Sequence, residues 1–335
     1  MNLKRRIEVL TQLGEALQNK TDQTAMAKMA FARNNWFTVE NTQNMLQAIA
    51  DNYLSAEKLQ EWMARYDFSK VDETPSKTVG LVMAGNIPLV GFHDFLSVFI
   101  CGHKPQMKLS EKDDKLMHYL YQLLLQIDKG IQNEMEIVPR LKDFDAVIAT
   151  GSNNSSRYFH YYFGKYPHII RKNRGSVAVL TGQETEADVY QLGKDIFQYF
   201  GLGCRSVSKL MIPKDYDFNF LLGELNAYKE VSMHSKYRNN FDYHLAIYLL
   251  DKVEHLVNDS VIVIEKEAIG SPAAVLHYEY YADESALQKR LEEQAEDIQC
   301  VVGLSNDYLD FGQAQKPELW DYADKVDTVE FLLGV

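Results

Sequence analysis

Between residues 76 and 180, short runs of strand length, most of them apolar, alternate with longer stretches suited to helices. The runs are 76–85 (SKTVGLVMAG), 104–109 (KPQMKL), 144–149 (FDAVIA) and 176–180 (SVAVL); the intervening helices are expected over 92–102, 113–128 and 153–164. A strand followed by a helix rejoins its sheet by a crossover, which makes the pairing parallel and covers the sheet faces. The alternation therefore predicts a parallel α/β sheet. A second series follows: a helix over 184–201, a strand at 207–212, a helix at 218–229, strands at 260–264 and 272–278, a helix at 284–295 and a strand at 298–303. Thr181-Gly182 interrupts the rhythm and places a domain boundary near 181. Residues 1–66 read as helices, with Leu3, Ile7, Leu10, Leu13 and Leu17 on one stripe and a further start at Thr38.

A chain of 335 residues is long for one core and suits two domains. Its formal charge of −12 argues against a general nucleic-acid binder, which needs a basic face, but leaves room for an anionic small ligand held by a local cluster. No run approaches the roughly 20 apolar residues of a membrane span. The amino terminus, MNLKRRIEVLTQLGEALQ, is charged and then amphipathic rather than a secretory signal, so a cytoplasmic protein is expected. Cys101, Cys204 and Cys300 are far apart, with no CxxC pair, so neither a disulfide framework nor a metal site is expected.

Cys101 lies in an apolar helix and Cys300 in an apolar strand, where thiols act as small hydrophobes. Cys204 differs. It stands in Gly201-Leu202-Gly203-Cys204-Arg205, a loop where backbone can approach a substrate and where Arg205 favours a thiolate. On these residues alone it is a packing residue or a nucleophile. Gly85-Asn86-Ile87-Pro88-Leu89 ends the first strand, where ligands of open parallel sheets bind; Asn86 is a turn former or an amide donor to an oxyanion. Thr150-Gly151-Ser152-Asn153-Asn154-Ser155 is an N-cap or a phosphate turn. The aromatic stretch YFHYYFGKY (158–166) reads as core or interface.

Taken in order, GNIPL (85–89), KLSEKD (108–113), ATGSNNSSR (149–157), IRKNRGSVAVL (170–180), GLGCRSVSKLMIP (201–213) and EAIGSP (267–272) resemble the aldehyde dehydrogenase superfamily. There the corresponding pieces are a PWN-type turn, a lysine after a strand, a TGS turn, an ELGGK-type loop, a QxC loop and an ExFGP segment. Together with FGQAQKPELWDYADKVDTVEFLL (311–333), they are similar to its acyl-CoA reductase branch, that of the fatty-acid reductase of bacterial luminescence. The resemblance covers about residues 76–335.

It implies an aldehyde-dehydrogenase-like α/β fold, with helices and an open parallel-sheet NAD(P)-binding domain over 1–180. A catalytic α/β domain over 181–325 and an oligomerisation or sheet-completing strand over 326–335 would follow. It makes Cys204 the nucleophile and Asn86 the oxyanion donor. Lys108 would hold the adenosine ribose, with Glu111 or a 2′-phosphate nearby, Gly151 and Ser152 would border the pyrophosphate, and Glu267 would hold the nicotinamide ribose. Arg171 stands where oxidising members keep a glutamate that activates the hydrolytic water. Losing that base disfavours hydrolysis to an acid, and Arg171 with Arg205 is expected to favour the phosphates of CoA.

The function implied is NADPH-dependent reduction of fatty acyl-CoA to aldehyde through an acyl-cysteine, in a homo-oligomer (dimer or tetramer) or a reductase complex. Alternatives are an acyl-phosphate or semialdehyde reductase, and a non-catalytic component of such a complex.

Overall fold

The computed structural model describes residues 1–335 as two compact units, 1–172 with 318–335, and 173–317.

The first unit begins with four helices, α1 (Leu3–Leu17), α2 (Lys20–Arg33), α3 (Val39–Ala48) and α4 (Ala56–Met63). The leucine stripe of α1 is realised: Leu10, Leu13 and Leu17 are fully buried. There follow β1 (Thr78–Val82), α5 (Phe92–Ile100), β2 (Lys104–Lys108), α6 (Asp114–Ile127), α7 (Ile131–Glu134), β3 (Glu136–Ile137), β4 (Ala146–Thr150), α8 (Asn153–Phe163) and β5 (His168–Arg171). The strands form one parallel sheet in the order β3-β2-β1-β4-β5. Helix α5 is buried along most of its length, as its sequence FHDFLSVFI requires.

The second unit contains β6 (Gly175–Val179), α9 (Glu186–Phe197), β7 (Val207–Pro213), α10 (Phe218–Leu225), α11 (Ser235–Leu250), β8 (His255–Val257), β9 (Ile262–Glu265), β10 (Val275–Tyr281), α12 (Glu284–Glu293) and β11 (Ile298–Gly303). Its sheet has the order β11-β6-β7-β10-β9-β8 and is parallel except for the β8–β9 pair. The fold is thus the α/β class expected, with a parallel sheet in one unit and a mixed sheet in the other.

The structure differs from the sequence reading in four places. The chain passes from one unit to the other at 172/173, not near 181, because β5 completes the first sheet before β6 opens the second. The 170–175 stretch is accordingly not all loop: Ile170 and Arg171 belong to β5. The terminal segment is not a strand but a helix, α13 (Thr328–Leu333), and it belongs to the first unit. Asp327 caps it, accepting the Glu330 N–H at 2.9 Å, and a helix sets Thr328, Val329 and Leu332 on one buried face, where strand alternation would split Val329 from Leu332. Finally, α8 contributes no fully buried residue. Phe159 and Phe163 pack against Val147 and Ala149 of β4, whereas Tyr158, Tyr161 and Tyr162 are exposed, so the core half of the core-or-interface reading holds for the two phenylalanines and not for the tyrosines.

Residues 318–335 seal the first unit. Trp62 Nε1 donates to the Tyr322 hydroxyl at 2.8 Å and the Tyr66 hydroxyl to Asp327 at 2.7 Å. His93 meets the Leu319 carbonyl at 2.8 Å and His103 that of Leu332 at 2.9 Å. No helix is long and apolar enough to cross a membrane.

Candidate active site

In the first unit β1 lies between β2 and β4, so successive connections leave it in opposite directions. Such a reversal opens a crevice at the carboxyl ends of the strands. Val82 is in register with both Lys108 and Ala149, so the residues that follow β1, β2 and β4 emerge at one edge. The structure brings Asn86, Lys108, Gly151 and Ser152 together along this edge; Asn86, Lys108 and Ser152 are exposed.

The Asn86 turn is shaped from beneath. Asp113 Oδ2 accepts the Leu89 N–H at 2.6 Å, while Leu89 is held at φ 53°. A Cβ on Gly85 would lie 2.6 Å from Ser110 Oγ, so this close approach needs glycine. Burial pushes the Asp113 carboxyl well above the usual carboxylate range. At the next strand end, Ser152 caps α8 by accepting the Ser155 N–H at 3.2 Å. A Cβ on Gly151 would lie 2.7 Å from the Phe159 ring. The bare Gly151 backbone, the first N–H groups of α8 and the exposed ammonium of Lys108 suit the phosphates and ribose of a dinucleotide.

In the second unit Cys204 is half-buried in the loop between α9 and β7. None of the three cysteines is in a disulfide. The chain reaches this loop through Tyr199, Phe200 and Gly201, at φ 53°, 58° and 70°. Two consecutive non-glycine residues in the left-handed region cost about 1–2 kcal/mol each, a strain that persists only where surrounding structure imposes it. Here the Phe200 ring packs on His234, with centroids 4.4 Å apart. The Cys204 carbonyl accepts the Ser176 hydroxyl at 3.0 Å, and Arg205 Nε donates to the Ala314 carbonyl. Arg205 therefore braces the loop.

The segment after β9 is fixed by side chains at three successive carbonyls. Lys209 Nζ donates to Glu267 O at 2.6 Å, the His277 ring meets Ala268 O at 2.8 Å, and Ser208 Oγ donates to Ile269 O at 2.8 Å. Contact with Lys209 and then Ser208 carries the segment back toward the amino end of β7, the end at which the Cys204 loop joins it. Lys209 is fully buried and also pairs with Glu279; desolvation lowers its pKa. The Glu267 carboxylate itself is exposed, 3.3 Å from Arg290.

Arg171 is where the structure overturns an expectation. Its guanidinium is 3% exposed on β5, with Nη1 at 2.5 and 2.6 Å from the two Asp94 oxygens and Nη2 at 2.9 Å from Thr328 Oγ1. A cation already buried against a carboxylate is not available to CoA phosphates. Arg171 ties β5 to α5 and α13.

Sequence reasoning missed Asp113, Asp195, Ser176 and Lys209. Lys209 carried a signal: a lysine inside the apolar run VSKLMI needs a buried partner.

No protein-family model matches the chain, and no curated protein does. Solved structures do. Aldehyde dehydrogenase 21 from Physcomitrella patens, in complex with the reaction product succinate, has TM-score 0.68 at 13% identity over 92% of this chain and 74% of that one. Betaine aldehyde dehydrogenase from Staphylococcus aureus in complex with NAD+ has TM-score 0.67 at 13% identity, over 94% and 73%. An E. coli NADP dependent enzyme has TM-score 0.67 at 11% identity, over 92% and 74%. The architecture is that of the aldehyde dehydrogenase fold.

Proposed function

We propose that this chain is an oxidoreductase of the aldehyde-dehydrogenase type that reduces an acyl-CoA thioester to an aldehyde through an acyl group on Cys204. The observation that carries the reading is the Cys204 loop: a half-buried thiol in a strained turn braced by side chains. Cys101, by contrast, is buried, and Cys300, half-buried as well, lies within β11 rather than in a loop.

In this reading the Cys204 thiolate attacks the thioester carbonyl, the Cys204 backbone N–H donates to the resulting oxyanion, and the family resemblance gives the Asn86 amide the role of an oxyanion donor. The C–S bond to CoA breaks, CoA leaves as its thiol on taking up a proton, and the acyl group stays on Cys204. A nicotinamide cofactor, when bound, supplies the hydride that reduces this acyl group. Cys204 is then released as the aldehyde departs.

Lys108, Gly151 and Ser152 are the residues that would hold the ribose and pyrophosphate, and Glu267 the second ribose; the lysine suits the extra phosphate of NADPH. Structures of similar fold include an NAD+ complex and an NADP dependent enzyme. Residues 167–183 contain no carboxylate, so this stretch offers no base to deacylate Cys204 with water. That favours transfer from a thioester over oxidation to an acid. By resemblance, fatty acyl chains are the substrates and the working form is a homo-oligomer.

The deciding experiment is incubation with acyl-CoA in the absence of reductant, followed by intact mass. A gain of one acyl group mapped to Cys204 is expected; no adduct, or an adduct elsewhere, would sink the reading and favour a non-catalytic role. Asn86→Ala should lower kcat by about 10²–10³, the scale for one oxyanion donor, while KM for acyl-CoA changes little. Steady-state kinetics with NADPH checks this, and a kcat within about threefold of wild type removes Asn86 from the mechanism.

A further inference from the structure

The loop that presents Cys204 makes a bond of its own, from the Ser206 N–H to Gly203 O at 3.1 Å. Its further anchors include side-chain contacts. Besides the Ser176 bond to the Cys204 carbonyl, Arg205 Nε reaches Ala314 O and Gln315 Nε2 reaches Ser206 Oγ at 3.1 Å. Two of these three struts come from 312–315, a stretch outside any helix or strand. The place of the thiol is therefore inherited from a second loop.

That second loop is held by a buried acid. Asp195, on α9, is fully buried, and its two oxygens accept the Gly312 N–H at 2.6 Å and the Ala314 N–H at 3.0 Å. Gly312 sits at φ 83°, and a Cβ there would lie 2.6 Å from Gln191 Oε1, so the loop lies close against α9. Two N–H groups converging on one carboxylate need an acceptor at both oxygens. An asparagine of the same shape would turn an NH₂ toward one of the donors.

We propose that Asp195 is the positioning residue of Cys204: it fixes the 312–315 loop, which through Ala314 and Gln315 fixes Arg205 and Ser206 on the carboxyl side of the thiol. The inference rests on Cys204 being the nucleophile. Burial lifts the Asp195 carboxyl to about 6, against the pull of the two N–H bonds and the charges of Lys316 and Arg205. Tyr228 is a further titratable group in its field. The acid is therefore ionised at pH 8, where both N–H bonds are charge-assisted.

The test uses the full chain at pH 8. Asp195→Asn should slow iodoacetamide alkylation of Cys204, followed by peptide mass, about tenfold. It should lower kcat for acyl-CoA reduction by about ten- to a hundredfold with KM within about twofold, as expected when a reacting atom is misplaced without loss of binding. Gln315→Leu cuts one strut without touching the buried acid and should slow alkylation about threefold. Added to Asp195→Asn it should slow alkylation no further, because both act through one path.

Alkylation and the kcat/KM split unchanged per folded molecule in Asp195→Asn, with only stability lowered, overturn the proposal. If that variant does not fold, Gln315→Leu decides alone: slowed alkylation supports the proposal and unchanged alkylation overturns it. Alkylation needs no substrate. Asp195-dependent alkylation in a protein that takes no acyl group from acyl-CoA would uphold the positioning role and refute the proposed reaction.

Discussion

Cys204→Ala should abolish acyl-CoA reduction, with a loss of about four orders of magnitude or more, the scale for removing a covalent nucleophile. The same change should eliminate the acyl adduct in the mass experiment. The effect is expected to be this large because the covalent intermediate needs a thiol at this position. Cys101 is buried at the end of α5, and desolvation drives its thiol far from ionisation. Cys300, expected as a core hydrophobe, is half-buried like Cys204, but it lies within β11 with its sulfur 3.1 Å from the Ser176 hydroxyl, so it is the control. Cys300→Ala should leave the adduct on Cys204. NADPH consumption in Cys204→Ala within about tenfold of wild type would show that the chemistry does not pass through this sulfur.

Arg171→Met should destabilise the first unit by about 3–5 kcal/mol, the range for removing one partner of a buried ion pair. The cost arises on the side left behind. Asp94, whose side chain is 13% exposed, would keep a carboxylate facing an apolar methionine, and Thr328 would lose the bond joining α13 to β5. Urea unfolding of the single variant, and of Arg171→Met combined with Asp94→Asn, checks this; the second change should restore part of the loss by removing the stranded charge. A single-variant loss below about 1 kcal/mol would mean the pair is relaxed by water or movement. In the folded fraction, KM for acyl-CoA should stay near wild type, because this guanidinium faces Asp94 and Thr328 rather than a substrate.

What could be read in the sequence was local. Strands β1, β4 and β6 are apolar runs bounded by turns, and α1 and α5 carry burial in their spacing, so the parallel α/β plan was visible. Strand β5 was not. Its two isoleucines lie between Pro167-His168 and a run of cations, and they become a strand only because β4 offers an open edge. Helix α11 buries just Tyr237 and Phe241, so it has no stripe to find. Residues 326–333 are rich in β-branched and aromatic side chains and read as a strand; the Asp327 cap and the burial of Val329 and Leu332 decide for helix.

The candidate site divides in the same way. Cys204, Asn86, Gly151 and Ser152 lie in glycine turns and announce themselves. Asp113, Lys209 and Asp195 act on backbone 24, 58 and 117 residues away, distances at which a single sequence carries no pairing signal.

The first unit is written in two pieces, with the whole of the second between them. During synthesis 173–317 are made before 318–335, so the inserted unit is complete in sequence before its host is. Until 318–335 emerge, Trp62 and His93 lack the groups that later satisfy them, and the Arg171–Asp94 pair lacks Thr328. The first unit therefore cannot make these contacts until the chain has been made through α13.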